Sequence, residues 1–97
     1  MPSLADLTMQ DFEPRSGDVF RLHAPARQLE LELIEIRGLG ESGRTGGAFS
    51  LLFRAPPGPF LPQAIYPIDH PALGTLDIFI VPIGPIPGGN GYEAIFT

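Results

Sequence analysis

From Leu29 to Leu33 apolar and acidic residues alternate one for one. Ile34 then follows Leu33 directly, and the alternation resumes one step out of phase with Glu35 and Ile36. Strict alternation is the period of a strand with one buried face, and a one-residue slip sends every later side chain to the other face. A β-bulge near Leu33–Ile34 takes up the surplus residue and keeps both Leu31 and Ile36 inside. Leu and Glu are also good helix formers, but at helical spacing Leu29, Leu31 and Leu33 fall on different sides of the axis. The segment 28–37 is therefore read as a strand, and the bend that a bulge brings suits a small barrel or a tightly curled sheet.

The same period predicts five more strands. Residues 18–24 turn Phe20, Leu22 and Ala24 inward, and 48–54 put Phe49, Leu51 and Phe53 on one face. In 63–69, Pro67 marks an edge or an irregularity, because proline has no ladder donor. Residues 75–82 are apolar on both faces around Ile78 to Val81, and the closing YEAIFT sets Tyr92, Ala94 and Phe96 against Ile95. HPALG at 70–74 reads as a compact turn joining a hairpin, and GLGESGRTGG at 38–47 as a flexible, solvated loop. APPGPFLP at 55–62 reads as a rigid extended crossing anchored by Phe60 and Leu61, and GPIPGGNG at 84–91 as the last loop. The only helical pattern lies in 3–12. There Ser3 with Asp6 and Thr8 with Asp11 have capping-box spacing, Leu4, Leu7 and Phe12 share a side, and Pro14 and Gly17 follow as stops. One or two helical turns over the mouth or edge of a sheet are expected. The fold expected is all-β: a six-stranded, mostly antiparallel barrel or two-layer sandwich, one domain over 1–97.

Composition narrows the function classes. Ninety-seven residues, 43% of them hydrophobic, supply one modest core. The net charge is -5, there is no lysine, and the arginines are scattered from Arg15 to Arg54. Binding a phosphate backbone needs clustered positive charge, so nucleic acid and anionic membranes are not expected as partners. The absence of cysteine removes thiol chemistry and fits a reducing compartment. The N-terminus lacks the charged and apolar regions of a signal peptide, no apolar run reaches 18 residues, and a cytoplasmic location is expected.

Candidate chemistry is sparse. His23 and His70 are the only histidines, with no HExxH or close pair, so neither a metal site nor a cofactor is expected. Asp69 next to His70 could form half of a hydrolytic pair, but an Asp in a turn more commonly accepts backbone hydrogen bonds. Ser42 in GESGRTG resembles a phosphate loop only superficially, since Arg44–Thr45 leads into a strand rather than a helix. Glu30 and Glu32 share a face about 7 Å apart and read as a solvated surface balanced by Arg37 or Arg54. Tyr66 and Tyr92 suit a core margin or an interface.

The stretches LTMQDFEPRSGDVFRL, FSLLFRAP, LPQAIYPIDHPALGTLDIFIVPIGP and YEAIF together resemble an uncharacterised family of short bacterial β proteins. Phe49–Arg54, Gln63–Tyr66 and His70–Pro71 with Leu73–Gly74 are the most specific pieces. The family has no assigned activity and supplies no catalytic residue. Its members are sometimes encoded beside proteins with a phage-tail-collar-like domain, which implies a structural or accessory role. Least agreement is expected over 38–47 and 84–91.

The expected function is a non-enzymatic structural or protein-interaction domain. Ile34, Leu52 and Ile95 point away from the main apolar rows of their strands, and Phe79 and Val81 belong to a strand apolar on both faces. These five are the candidate interface, for a homo-oligomer or a partner protein. The alternatives are a small-molecule-binding barrel with polar groups near Tyr66, Tyr92 or His23, and a hydrolase using Asp69 and His70.

Overall fold

The computed structural model describes residues 7–40 and 47–96. Six strands follow a short helical segment: β1 (Val19–His23), β2 (Gln28–Gly40), β3 (Ala48–Ala55), β4 (Ala64–His70), β5 (Gly74–Ile86) and β6 (Gly89–Phe96). They form a closed antiparallel barrel in the order β1-β2-β3-β6-β5-β4. Of the two expected architectures, the barrel is the one formed.

The surplus residue of β2 is absorbed where the pattern requires. Leu33 stands opposite Phe53 and Glu35 opposite Leu52, which leaves Ile34 without a register partner. Leu31 and Leu33 are fully buried, and Ile36 packs half-buried against the core. β2 then continues to Gly40 through a second irregularity between Gly38 and Gly40, so the start of the expected 38–47 loop is strand. Of the rest of that loop, 41–46 lies outside the described residues.

The expected loop at 84–91 is also mostly strand. β5 runs to Ile86, β6 starts at Gly89, and only Pro87 and Gly88 turn the chain. Gly88 has φ +87, and proline followed by a positive-φ glycine is the pair a type II turn takes. Two further prolines fit inside β5 because of a bulge. Ile86 and Gly89 close the hairpin, so alternation puts Pro85, opposite Asn90, at a position whose N–H is not needed. The register shift at Ile83 returns Pro82, opposite Tyr92, to the same kind of position.

Helix α1 (Met9–Phe12) and a 3-10 turn (Glu13–Arg15) plug one mouth of the barrel. The Asp11 carboxylate accepts the Thr8 N–H at 2.8 Å, which realises the second of the two capping pairs. The first, Ser3 with Asp6, lies outside the described residues. Pro14 does not stop the chain but sits in the first turn of the 3-10 segment, where its missing N–H has no partner to lose. Phe12 drops fully buried among Phe20, Phe49 and Phe96, with ring centroids 6.4, 5.8 and 5.7 Å away.

The proline-rich crossing from β3 to β4 closes the barrel elsewhere through side-chain hydrogen bonds. Leu61 N–H donates to Tyr92 Oη at 2.9 Å, Asn90 Nδ2 to Gly58 O at 2.8 Å, and Tyr66 Oη to Pro62 O at 2.6 Å. Both tyrosines thus hold the core margin with their polar tips. Leu61 is the packed anchor of the crossing, while Phe60 lies against Tyr92 and stays partly exposed.

Candidate functional site

The thinnest closure of the barrel is the seam between β1 and β4, where only Arg21–Asp69 and Leu22–Ile68 stand in register. Backbone chemistry explains why it is short. The Ala24 N–H bonds the Arg27 carbonyl at 2.9 Å, so the backbone groups of Leu22 and Phe20 face β2 and those of Val19, Arg21 and His23 face β4. Asp69 meets Arg21, so Ile65, Pro67, Asp69 and Pro71 turn theirs toward β1. One further step of register in either direction would set His23 opposite Pro67 and Val19 opposite Pro71. Neither proline has a donor to offer.

Side chains take over where the ladder fails. Outside the barrel, His23 Nε2 meets Asp69 Oδ2 at 2.5 Å, and Thr75 Oγ1 donates to Asp69 Oδ1 at 2.5 Å. At the other end of the seam, His70 Nε2 meets Asp18 Oδ2 at 2.8 Å while its Nδ1 accepts the Ala72 N–H at 3.0 Å. An accepting Nδ1 puts the proton of the neutral ring on Nε2, which makes His70 the donor to Asp18. The His70 ring is buried against Phe20, at 4.6 Å between centroids.

Asp69 and His70 are therefore neighbours in sequence only. Strand alternation turns the first outward and the second inward, and each serves a different pair across the seam. The hydrolytic pairing of Asp69 with His70 is not formed. The expected turn role falls to His70, which takes a backbone N–H, rather than to Asp69, which takes side-chain donors. Among the described residues, no group of three His, Asp or Glu side chains converges as a metal site needs.

The Thr75 hydroxyl, and after it the His23 ring, hold the Asp69 carboxyl below the usual carboxylate value of 3.8, with Arg21 adding a smaller attraction. A carboxylate with a depressed folded-state pKa stabilises the fold above its unfolded pKa, and that contribution fades as pH falls through the lower folded value. The Asp69 carboxyl carbon is expected to titrate by NMR with a midpoint below 3.8, and Thr75→Val is expected to raise it. An unchanged midpoint in the variant would assign the effect elsewhere.

Four of the five candidate interface residues lie on the outer face of β3, β5 and β6, and the fifth, Ile34, on β2. Leu52 and Val81 flank Glu93 in one register row, both half-buried. Phe79 and Ile95 are 48% and 53% exposed. Ile34 is half-buried at the bulge, the one residue of the five outside any register pair. Ile65, opposite Phe79 and 65% exposed, belongs to this surface although sequence reasoning passed over it. Its signal was its alternation with Tyr66 and Ile68, which marks Ile65 as outward. The salt bridges Glu32–Arg54 and Glu35–Arg37 lie on β2 and β3, on the charged side of the barrel.

A family model described as a domain of unknown function, DUF6916, matches residues 7–96. The chain belongs to this family. The DUF6916 match runs from the plug to the last strand and takes in both His–Asp pairs of the seam. Comparisons with the curated proteins and with the solved structures found no match. The loop regions where least agreement was expected fall inside the matched span.

Proposed function

We propose that this DUF6916 domain is a non-enzymatic structural or protein-interaction module that assembles through the outer face of β4, β5 and β6. The observation that carries this is the apolar pair Ile65–Phe79 on adjacent strands, with Ile95 exposed on β6 and Val81 beside it. Aromatic and branched side chains grouped on an exposed sheet face lower the free energy of association when a partner covers them. A homo-oligomer is the simplest assembly. The resemblance to short bacterial proteins encoded beside phage-tail-collar-like proteins supports an accessory role in a phage-tail-like or surface assembly, in the cytoplasm before release.

The small-molecule reading asked for a cavity near Tyr66, Tyr92 or His23. Inside the barrel, Phe20, Phe53, Leu51 and Tyr92 are themselves fully buried core side chains. The groove that reaches His23 and Tyr66 is an open one on the outside.

Phe79→Glu tests the assembly reading. The side chain is half exposed, so the fold tolerates the charge, while an interface buries a carboxylate. Sedimentation velocity at high micromolar concentration is expected to show a dimer or larger species for the wild type and a monomer for the variant. A wild type that remains monomeric would sink homo-assembly.

A further inference from the structure

The β1–β4 seam does not only lack pairs; it leaves an edge. β4 continues past Ile68 to Ala64, whereas the register with β1 ends at Leu22. The alternation that faces Asp69 toward β1 also faces the N–H and C=O of Ile65 into this gap. Across the gap, the chain leaves β1 at His23 and turns away through Pro25 and Ala26 to Arg27. Between the two lies an open groove of about 740 Å³, lined on its β4 side by Ala64, Ile65, Tyr66 and Pro67. That volume lies in the range of about 300–1,000 Å³ typical of binding pockets.

We infer that this groove accepts an extended segment of a partner chain, which adds as a short strand to the β4 edge at Ile65. An unpaired strand edge beside an apolar trough is the geometry of β-strand addition: backbone bonds give affinity, and alternate side chains enter the trough. Charge selects the partner. Among the described residues no carboxylate lines the groove, and Arg27 supplies its positive charge, while His23, also on the lining, is paired with Asp69. Arg37 and Arg54 form salt bridges with glutamates, and Arg27 instead donates to the Pro59 carbonyl. In a chain of net charge -5 this is a locally cationic rim. The segment that fits is apolar at alternate positions and carries an acidic residue beside Arg27. A second copy of the same edge would bring Arg27 toward Arg27, so the occupant is a different segment. This deepens the partner-binding reading above and rests on it.

The probe is a displayed library of random dodecamer peptides, selected against the full chain, with the best binder then synthesised. Selection is expected to enrich alternating apolar peptides with an acidic residue. Ile65→Pro removes the one edge donor at a position that makes no bond to β5, and is expected to weaken binding at least tenfold. Ile65→Val, which keeps the edge donor, is expected to bind as the wild type does. Should Ile65→Pro fail to fold, N-methylation of alternate peptide amides replaces it, with a tenfold loss expected in one alternation phase only. No enrichment, equal binding by wild type and Ile65→Pro, or equal effects of both methylation phases would overturn strand addition. Loss in Phe79→Glu with retention in Ile65→Pro would place the partner on the outer face instead, leaving the assembly reading standing without the edge.

Discussion

Phe12→Ala is expected to destabilise the fold by about 3–5 kcal/mol, the range for truncating a fully buried phenylalanine. The residue belongs to a helix of only four residues, which has no stability of its own in water. Its place is fixed by what its ring meets at the barrel mouth: Phe20 from β1, Phe49 from β3 and Phe96 from β6. Phe49 and Phe96 stack on each other at 4.6 Å and 6°, and so form a flat floor that Phe12 covers. Alanine leaves a void above that floor, and a four-residue helix tied on both sides has little freedom to collapse into it. Since domains of this size are stable by roughly 5–15 kcal/mol in total, the variant loses a large share. Urea unfolding is expected to show a lower midpoint with an unchanged slope. A loss below about 0.5 kcal/mol, the scale of an ordinary surface change, would mean that the plug rests on the barrel without sealing it.

Much of this barrel was legible because its strands alternate cleanly. The bulge could be placed at Leu33–Ile34, since a buried face on both sides of a surplus position leaves little choice of site. The inward rows of β1, β3 and β6 followed from the same period. What the pattern misjudged were glycine and proline. In GPIPGGNG and at the start of GLGESGRTGG, turn-forming residues lie within strands: Pro85 falls next to the hairpin-closing pair where its N–H is not needed, and Gly38 and Gly40 flank a bulge at Leu39. Local composition does not reveal a bulge in a segment with no alternation to break.

The candidate site was legible in part for a different reason. An outward apolar side chain is a local fact, so Leu52, Phe79, Val81 and Ile95 could be named from their strands. The pairs His23–Asp69 and Asp18–His70 span 46 and 52 residues, and only the closure of β1 on β4 brings them together. Sequence adjacency instead suggested Asp69 with His70, two side chains that the pleat sends to opposite faces.

Those two pairs are expected to differ sharply in what they contribute. His70→Leu keeps an apolar body against Phe20 but leaves the Ala72 N–H and the Asp18 carboxylate without the imidazole. The two part-buried hydrogen bonds lost contribute about 0.5–1.5 kcal/mol each. His23→Leu breaks a pair whose side chains are 33% and 41% exposed, and exposed ion pairs contribute about 0–1 kcal/mol. The asymmetry follows from position: His70 holds a turn as well as the seam, whereas Asp69 keeps Thr75 when His23 is gone. Amide exchange at Arg21 and Asp69 reads the seam directly, and it is expected to accelerate markedly in His70→Leu and little in His23→Leu. Because only two register pairs join β1 to β4, loosening the inner pair opens the seam before the remaining sheet unfolds. Equal acceleration in both variants would mean that the two pairs act as one latch, and no change in either would mean that the two register pairs between Pro67 and Pro71 close the barrel unaided.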